Sequence, residues 1–138
     1  MADLAAESGI DDTQTHTCNG VTAETHVPTE TVTWIDVDRD GWLDAYVSGF
    51  ICWEDGFAAK DKIFRNNGDG TFTEANEAMW VAYGQGYGQA ARGTAPADYD
   101  GDGFTDLLVT NYRLHPNLFW HNQGDGTLKE SAKAVGVQ

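Results

Sequence analysis

Two short segments of the chain carry most of its recognisable chemistry. DVDRDGWLD spans residues 36–44, and DYDGDGFTD spans residues 98–106. Both follow the pattern D-x-D-x-D-G-x-x-D, which places four carboxylates within nine residues. Carboxylates this close repel one another unless the segment is well solvated or a cation lies among them. Because the pattern occurs twice at matched places, we favour the cation.

Calcium fits this donor spacing best. It takes six to eight oxygen ligands at about 2.3–2.6 Å, and a tight loop offers them from positions 1, 3, 5, 7 and 9, with a glycine at position 6 for the bend. The sequence therefore predicts two Ca²⁺ sites per chain. The predicted ligands are the carboxylates of Asp36, Asp38, Asp40 and Asp44 with the carbonyl of Trp42, and the carboxylates of Asp98, Asp100, Asp102 and Asp106 with the carbonyl of Phe104.

Two other readings of these loops fit less well. An EF-hand needs a glutamate at position 12 and a helix on each side, whereas position 12 is Val47 in one loop and Val109 in the other. Magnesium keeps several of its waters and rarely uses a cage made only of protein groups.

The aspartate loops belong to a longer repeat. FRNNGDGTF at residues 64–72 returns as WHNQGDGTL at residues 120–128, so the two motifs recur in the same order, 62 and 56 residues further along the chain. ADLAAESGI near the start also resembles KESAKAVGV near the end. The chain therefore opens with the tail of one repeat and closes with the tail of another.

Strands are the elements that must position these loops. Short runs rich in β-branched and aromatic residues flank the aspartates, and the GDGT segments have the chemistry of tight hairpin turns. The predicted strands are residues 31–37, 42–48, 105–112 and 117–122. Residues 73–82 and 128–136 indicate a strand end followed by a helical turn or loop, and the glycine-rich residues 84–93 indicate an irregular surface loop.

Composition limits the possible partners. The 138 residues carry 8 Lys and Arg against 22 Asp and Glu, a formal charge of −14, which disfavours nucleic acid and anionic lipid. No apolar stretch approaches the roughly 20 residues of a membrane span. Hydrophobic residues at 41% are enough for the core of one domain.

The two cysteines allow two interpretations. Cys18 and Cys52 are either two buried thiols or one disulfide. An acidic chain with calcium-type loops suggests an oxidising compartment, where a disulfide would persist. The four histidines do not lie near these cysteines at zinc-ligand spacing, and no catalytic arrangement is recognisable.

The combination of motifs resembles a known family. An apolar strand, the aspartate loop, a second strand and then KIFRNNGDGTF or NLFWHNQGDGTL are similar to the FG-GAP/VCBS repeat, the type found in the propellers of integrin α-subunits. The resemblance implies an all-β fold in which each repeat is a four-stranded blade of a β-propeller and the eight aspartates bind calcium. It divides the chain into a leader with the terminal strand of a preceding repeat, a first blade and a second blade, at residues 1–30, 31–82 and 83–138.

Three functions follow as expectations. The first is a calcium-binding structural or protein-interaction module without catalysis. The alternatives are a carbohydrate-binding propeller, with exposed Trp and Tyr stacking on sugars, and a polysaccharide-acting enzyme with an unrecognised site. The family further implies an extracellular, periplasmic or cell-surface location.

Assembly follows from the number of blades. Propellers have four to eight blades, so two cannot close a ring, and their apolar faces and strand edges invite association. We expect either a longer parent chain or a homo-oligomer of three or four chains, with no nucleic-acid partner and no membrane insertion.

Overall fold

Strands form most of the structure. The computed structural model describes residues 7–10, 13–18, 21–26, 29–51, 59–76, 80–81, 89–112 and 114–137. In these residues the strands are β1 (Thr13–Cys18), β2 (Val21–His26), β3 (Thr29–Ile35), β4 (Asp44–Gly49), β5 (Lys62–Asn66), β6 (Phe72–Glu74), β7 (Trp80–Val81), β8 (Ala91–Ala97), β9 (Asp106–Asn111), β10 (Leu118–Asn122) and β11 (Leu128–Glu130). Ala132–Val135 form a short helix, which we call α1.

The strands form three sheets. Blade 1 is the four-stranded antiparallel sheet β3-β4-β5-β6. Blade 2 is the antiparallel sheet β8-β9-β10-β11, to which β7 adds as a fifth strand parallel to β11. Strands β1 and β2 form a separate hairpin. The all-β class and the two four-stranded sheets confirm this part of the sequence prediction.

The strand predictions hold near the aspartate loops, and one loop prediction is wrong. β3, β4, β9 and β10 lie within two residues of their predicted bounds. The segment after β11 forms the short helix α1, as a strand end followed by a helical turn. In contrast, Ala91–Gly93 were predicted as loop but begin β8. Ala91 is fully buried in the main core, and Ala91 and Gly93 pair with Asn111 and Thr110 of β9, which extends the strand although these residues have low strand propensity.

Each blade has two faces, which we name by their contacts. The front face of blade 1 carries Ile35, Tyr46 and Ile63, and the back face of blade 2 carries Leu107 and Trp120. These two faces pack together into the main core of the described residues, with Val37, Ala75, Ala91, Val109, Leu118 and Leu128. The molecule is therefore held together by a front-to-back contact between consecutive blades.

The back face of blade 1 forms a second, smaller core. Ala45, Val47 and Phe64 are buried there, with Ile10 and Phe72 packed against them. Gly9 has φ +83° and lies so close to β6 that a Cβ would overlap the carbonyl oxygen of Phe72. Residues 7–10 therefore lie against the edge strand of blade 1.

The tails of the repeats correspond in position. Gly9–Ile10 matches Gly136–Val137 in sequence, and Gly136 shares the positive φ at +79°. Strand β7, at the same place in the repeat, pairs with Leu128 of blade 2, whose match in blade 1 is Phe72. Residues 9–10 thus lie against blade 1 at the place where β7 lies against blade 2.

Two further expectations concern the chain outside these sheets. No helix among the described residues is long and apolar enough to span a membrane. Cys52 lies outside the described residues, so the bridge to Cys18 stays a prediction.

Candidate metal centre

Each aspartate loop connects the first two strands of its blade. The ninth residue of the loop is buried and fixes its base. Asp44 accepts hydrogen bonds from the Val37 N–H (3.1 Å) and the Asn66 N–H (2.8 Å). Asp106 accepts the equivalent pair from Tyr99 (2.9 Å) and Asn122 (2.8 Å). These carboxylates thereby tie the loop to the third strand of the blade.

The first aspartate of each loop holds the bend. Asp36 accepts hydrogen bonds from the N–H groups of Asp40 and Gly41, both at 3.1 Å. Asp98 accepts the Gly103 N–H at 3.0 Å. Gly41 and Gly103 have φ of +91° and +88°, which glycine adopts without the steric cost that a Cβ brings. The glycine at position 6 is therefore required by the backbone, as the sequence predicted.

The structure brings three of the four predicted carboxylates together in each loop, but not the same three. We call residues 36–44 loop 1 and residues 98–106 loop 2. In loop 1 the cluster is Asp36, Asp38 and Asp40, whose oxygens lie within 4.8 Å of one another. In loop 2 one such cluster is Asp98, Asp100 and Asp106, and a second joins Asp100 and Asp102 to His121.

The ninth position therefore differs between the blades. Burial raises the pKa of Asp44, opposed by the N–H groups of Asn66 and Val37, while the charges of Asp38 and Asp40 raise it further. The charges of Asp38 and Asp40 thus affect the pKa of Asp44, although its carboxylate is not part of their cluster. Asp106, in contrast, belongs to the cluster of its own loop.

Trp42 and Phe104 were predicted as carbonyl ligands, and in the structure their N–H groups and rings make further contacts. Their N–H groups donate to Asp40 and Asp102, each at 2.8 Å. The Trp42 side chain packs on Gly68 of the GDGT turn, where a Cβ would lie 2.9 Å from the indole nitrogen. Phe104 packs on Gly124 in the same way. The aromatic ring thus joins the metal loop to the hairpin, and the carbonyl ligation stays a prediction.

Sequence reasoning missed a basic residue beside each loop. Arg65 forms an ion pair with Asp38 and lies 3.7 Å from Asp40. His121, at the matched position of blade 2, has Nε2 3.0 Å from Asp100. Both precede the asparagine of the repeated turn motif, in FRNNGDG and WHNQGDG. That shared position is the signal by which they could have been found.

The donor set of these loops fits a hard divalent cation. Both all-aspartate clusters offer carboxylate oxygens alone, and such oxygens suit Ca²⁺ or Mg²⁺ rather than a thiolate-preferring or imidazole-preferring metal. Three carboxylates within 4.8 Å of one another also need a positive charge nearby. Either a cation or the neighbouring basic side chain can supply it.

Comparison with known families agrees with the geometry. A family model described as the FG-GAP-like repeat matches residues 50–109 and again residues 98–137. The two matches together span 50–137, which is more than half of the chain and includes all of loop 2. A search of the curated proteins returned no relative that matches the chain.

Proposed function

Because the chain belongs to the FG-GAP-like repeat family, we propose that it is a calcium-binding β-propeller module with a structural or protein-interaction role and no catalytic step. The observation that carries the proposal is the pair of matched loops, each with three carboxylates clustered on one point. Repeats of this family often bind Ca²⁺, which supports calcium over magnesium. An extracellular, periplasmic or cell-surface location is part of the proposal, because calcium is abundant there.

Calcium would stabilise the fold by neutralising the clusters. Binding to the native state adds about 2.7 kcal/mol per site at a hundredfold excess over Kd. We expect a chelator to lower the melting temperature and added calcium to restore it. Identical melting curves in chelator and in calcium would rule the proposal out.

Single-site variants separate the two loops. Asp40→Ala removes a carboxylate from the loop 1 cluster, and Asp98→Ala removes one from loop 2. Isothermal titration should give one site fewer for each variant and none for the double variant. Glu7→Gln is the matched control, because it removes an exposed acidic charge outside both loops.

The basic neighbour makes the two sites unequal. Arg65 carries a fixed charge beside loop 1, whereas His121 is charged only when protonated. Both side chains are partly exposed, so the effect on calcium binding is modest, about two- to fivefold. We expect Arg65→His to raise the affinity of loop 1 and His121→Arg to lower that of loop 2. Shifts in the same direction would show that these side chains do not act by charge.

A further inference from the structure

The two front faces differ in burial at matched positions. In blade 1, Val37 is fully buried under blade 2. Its match in blade 2, Tyr99, is 62% exposed. Ala95 and Ala97 beside it are also exposed. Among the described residues, no sheet covers the front face of blade 2.

This face contains an apolar cavity. Its volume is about 230 Å³, and apolar side chains line nearly all of it. Five of them come from blade 2, one from the end of α1 and one from the residues after it; they are Ala95, Ala97, Tyr99, Leu108, Phe119, Val135 and Val137. In blade 1 the matched front face receives Trp120 of the next blade, whose indole N–H donates to the Tyr46 hydroxyl at 3.0 Å. The cavity therefore lies where a following blade would pack.

The complementary surface on blade 1 is also partly exposed. Val32 and Trp34 lie on the back face of β3 and are 48% and 50% exposed. The matched residue of Val32 in blade 2 is Thr94, which hydrogen-bonds to Thr33 of blade 1. Repeating this contact between two chains would place Val32 against Ala95, the match of Thr33. A polar pair inside the chain would become an apolar pair between chains.

A charged residue also lies at the same position in the first strand of each blade. Glu30 and Arg92 occupy matched positions, each at the register shift of its first strand. Within the chain, Arg92 Nη1 lies 2.8 Å from Glu30 Oε1. If the front of blade 2 met the back of another blade 1, Arg92 would take the place of Glu30 and would face the Glu30 of that second chain. The guanidinium has five N–H donors, so it can bind both carboxylates.

Asparagine hydrogen bonds support the same arrangement. Asn122 is fully buried, and its side chain donates across the blades to the Val37 carbonyl at 2.8 Å. Its match, Asn66, is only half buried and donates to Leu43 within its own blade. In a second front-to-back contact Asn66 would reach the carbonyl of Tyr99, the match of Val37.

We propose that the front face of blade 2 binds the back face of blade 1 of a second copy of this chain, by the contact that joins the two blades within one chain. The contact is head-to-tail, so it generates a ring when its rotation closes, and three or four copies would give six or eight blades. The proposal rests on the proposed role as an interaction module, but not on calcium.

Residues 7–10 limit which part of blade 1 is available for the contact. They lie on β6 of their own blade, where the tail of a preceding repeat would otherwise pack. The docking chain therefore keeps the residues after α1 on its own blade 2. The contact forms between β8 and Tyr99 of that chain and, on the second copy, β3 and Asn66 at the end of β5.

Two single-face variants test the proposal. Ala95→Arg blocks the front face of blade 2, and Val32→Arg blocks the back face of blade 1; both positions are exposed. By light scattering at micromolar concentration, we expect the unmodified chain to form an oligomer and each variant to be a folded monomer. The equimolar mixture should give a one-to-one dimer, because each variant keeps one intact face and only that pair can meet.

Several outcomes would overturn the proposal. One is an unmodified chain that is monomeric, which would leave the face to a different partner. The others are an oligomer that persists in either variant and an equimolar mixture of the variants that stays monomeric. Leu114→Arg is the control, because it adds the same charge at a fully exposed apolar residue outside both faces, and it must leave the oligomer intact. Calcium titration of the monomeric variants keeps the two proposals apart, since the loops should bind calcium whether or not the faces associate.

Discussion

Blade 1 and blade 2 share strand order, loops and hairpin turns, yet their third strands bury different aromatic residues. Trp120 of blade 2 is fully buried between the blades and bonds to Tyr46. Its match, Phe64, is buried within the smaller core behind blade 1. Tyr46 in turn donates to the buried carboxylate of Asp61, which also accepts the Gly49 N–H at 2.8 Å. The same strand order therefore supports a hydrogen-bonded aromatic residue between the blades and, behind blade 1, an aromatic residue packed in an apolar cluster with the Lys62 ammonium 5.8 Å from its ring centre.

The largest expected effect breaks the contact between blades. Trp120→Ala should lower the free energy of unfolding by about 4–5 kcal/mol, and Phe64→Ala by about 3 kcal/mol, because truncating a buried aromatic costs about 3–5 kcal/mol and Trp120 also loses its bond to Tyr46. Urea denaturation of both variants gives the comparison.

A milder substitution keeps this test informative if Trp120→Ala does not fold. Trp120→Phe gives blade 2 the aromatic residue that blade 1 has, and it removes the indole N–H while keeping a ring. We expect a loss of about 1–2 kcal/mol. An unchanged stability would show that the bond to Tyr46 contributes nothing to the contact.

The aspartate loops and GDGT turns could be predicted because their chemistry is local. Gly68, Gly70, Gly124 and Gly126 all have positive φ, which the motif itself requires. Aspartates at every second position of a tight loop can converge on one cation, so the candidate metal site could be predicted without knowing the strands. Asp44 and Asp106 are both buried and accept equivalent hydrogen bonds, so the clustering of Asp106 alone depends on how the other aspartates of each loop are placed, which the shared pattern does not encode.

The contacts between blades could not be predicted because apolar residues lie on both faces of each blade, so the sequence does not show which face another sheet covers. Nothing in the spacing of Val37 and Tyr99 indicates that one is buried and the other exposed. Strand β8 was missed because its alanines, glycine and proline have low strand propensity. Pairs such as Glu30 and Arg92 connect positions that only the fold brings together.

The two tail glycines give a smaller comparison. Gly9→Ala should cost about 2–3 kcal/mol, because the new Cβ meets the Phe72 carbonyl and residues 7–10 must move off β6. Gly136→Ala should cost only about 1 kcal/mol, the cost of positive φ, since nothing lies within 4 Å of its Cβ. Thermal unfolding of the two variants measures the difference. Equal losses would mean that residues 7–10 do not bind blade 1 in solution.

The smallest expected effect concerns the hairpin turns, where the blades are alike. Thr71 donates its hydroxyl (2.6 Å) and its N–H (3.0 Å) to Asp69, and Thr127 does the same for Asp125 at 2.5 and 3.0 Å. The hydroxyl bond first, and the N–H bond second, lower the pKa of each carboxyl below its ordinary 3.8. A lowered folded-state pKa stabilises the protein above the unfolded value, and this stabilisation is lost as the pH falls below 3.8 through the folded value.

Acid unfolding of turn variants would therefore sharpen the comparison. Asp69→Asn and Asp125→Asn should each weaken the loss of stability on acidification by the same small amount, because both carboxyls are fully exposed and identically bonded. Melting temperatures in chelator, recorded from neutral pH to below 3.8, would measure it without interference from the metal loops. Thr71→Val and Thr127→Val are the matched controls, since they remove the hydroxyl donor and keep the acid. Unequal effects of the two asparagine variants would show that the hairpin turns also differ between the blades, as their front faces do.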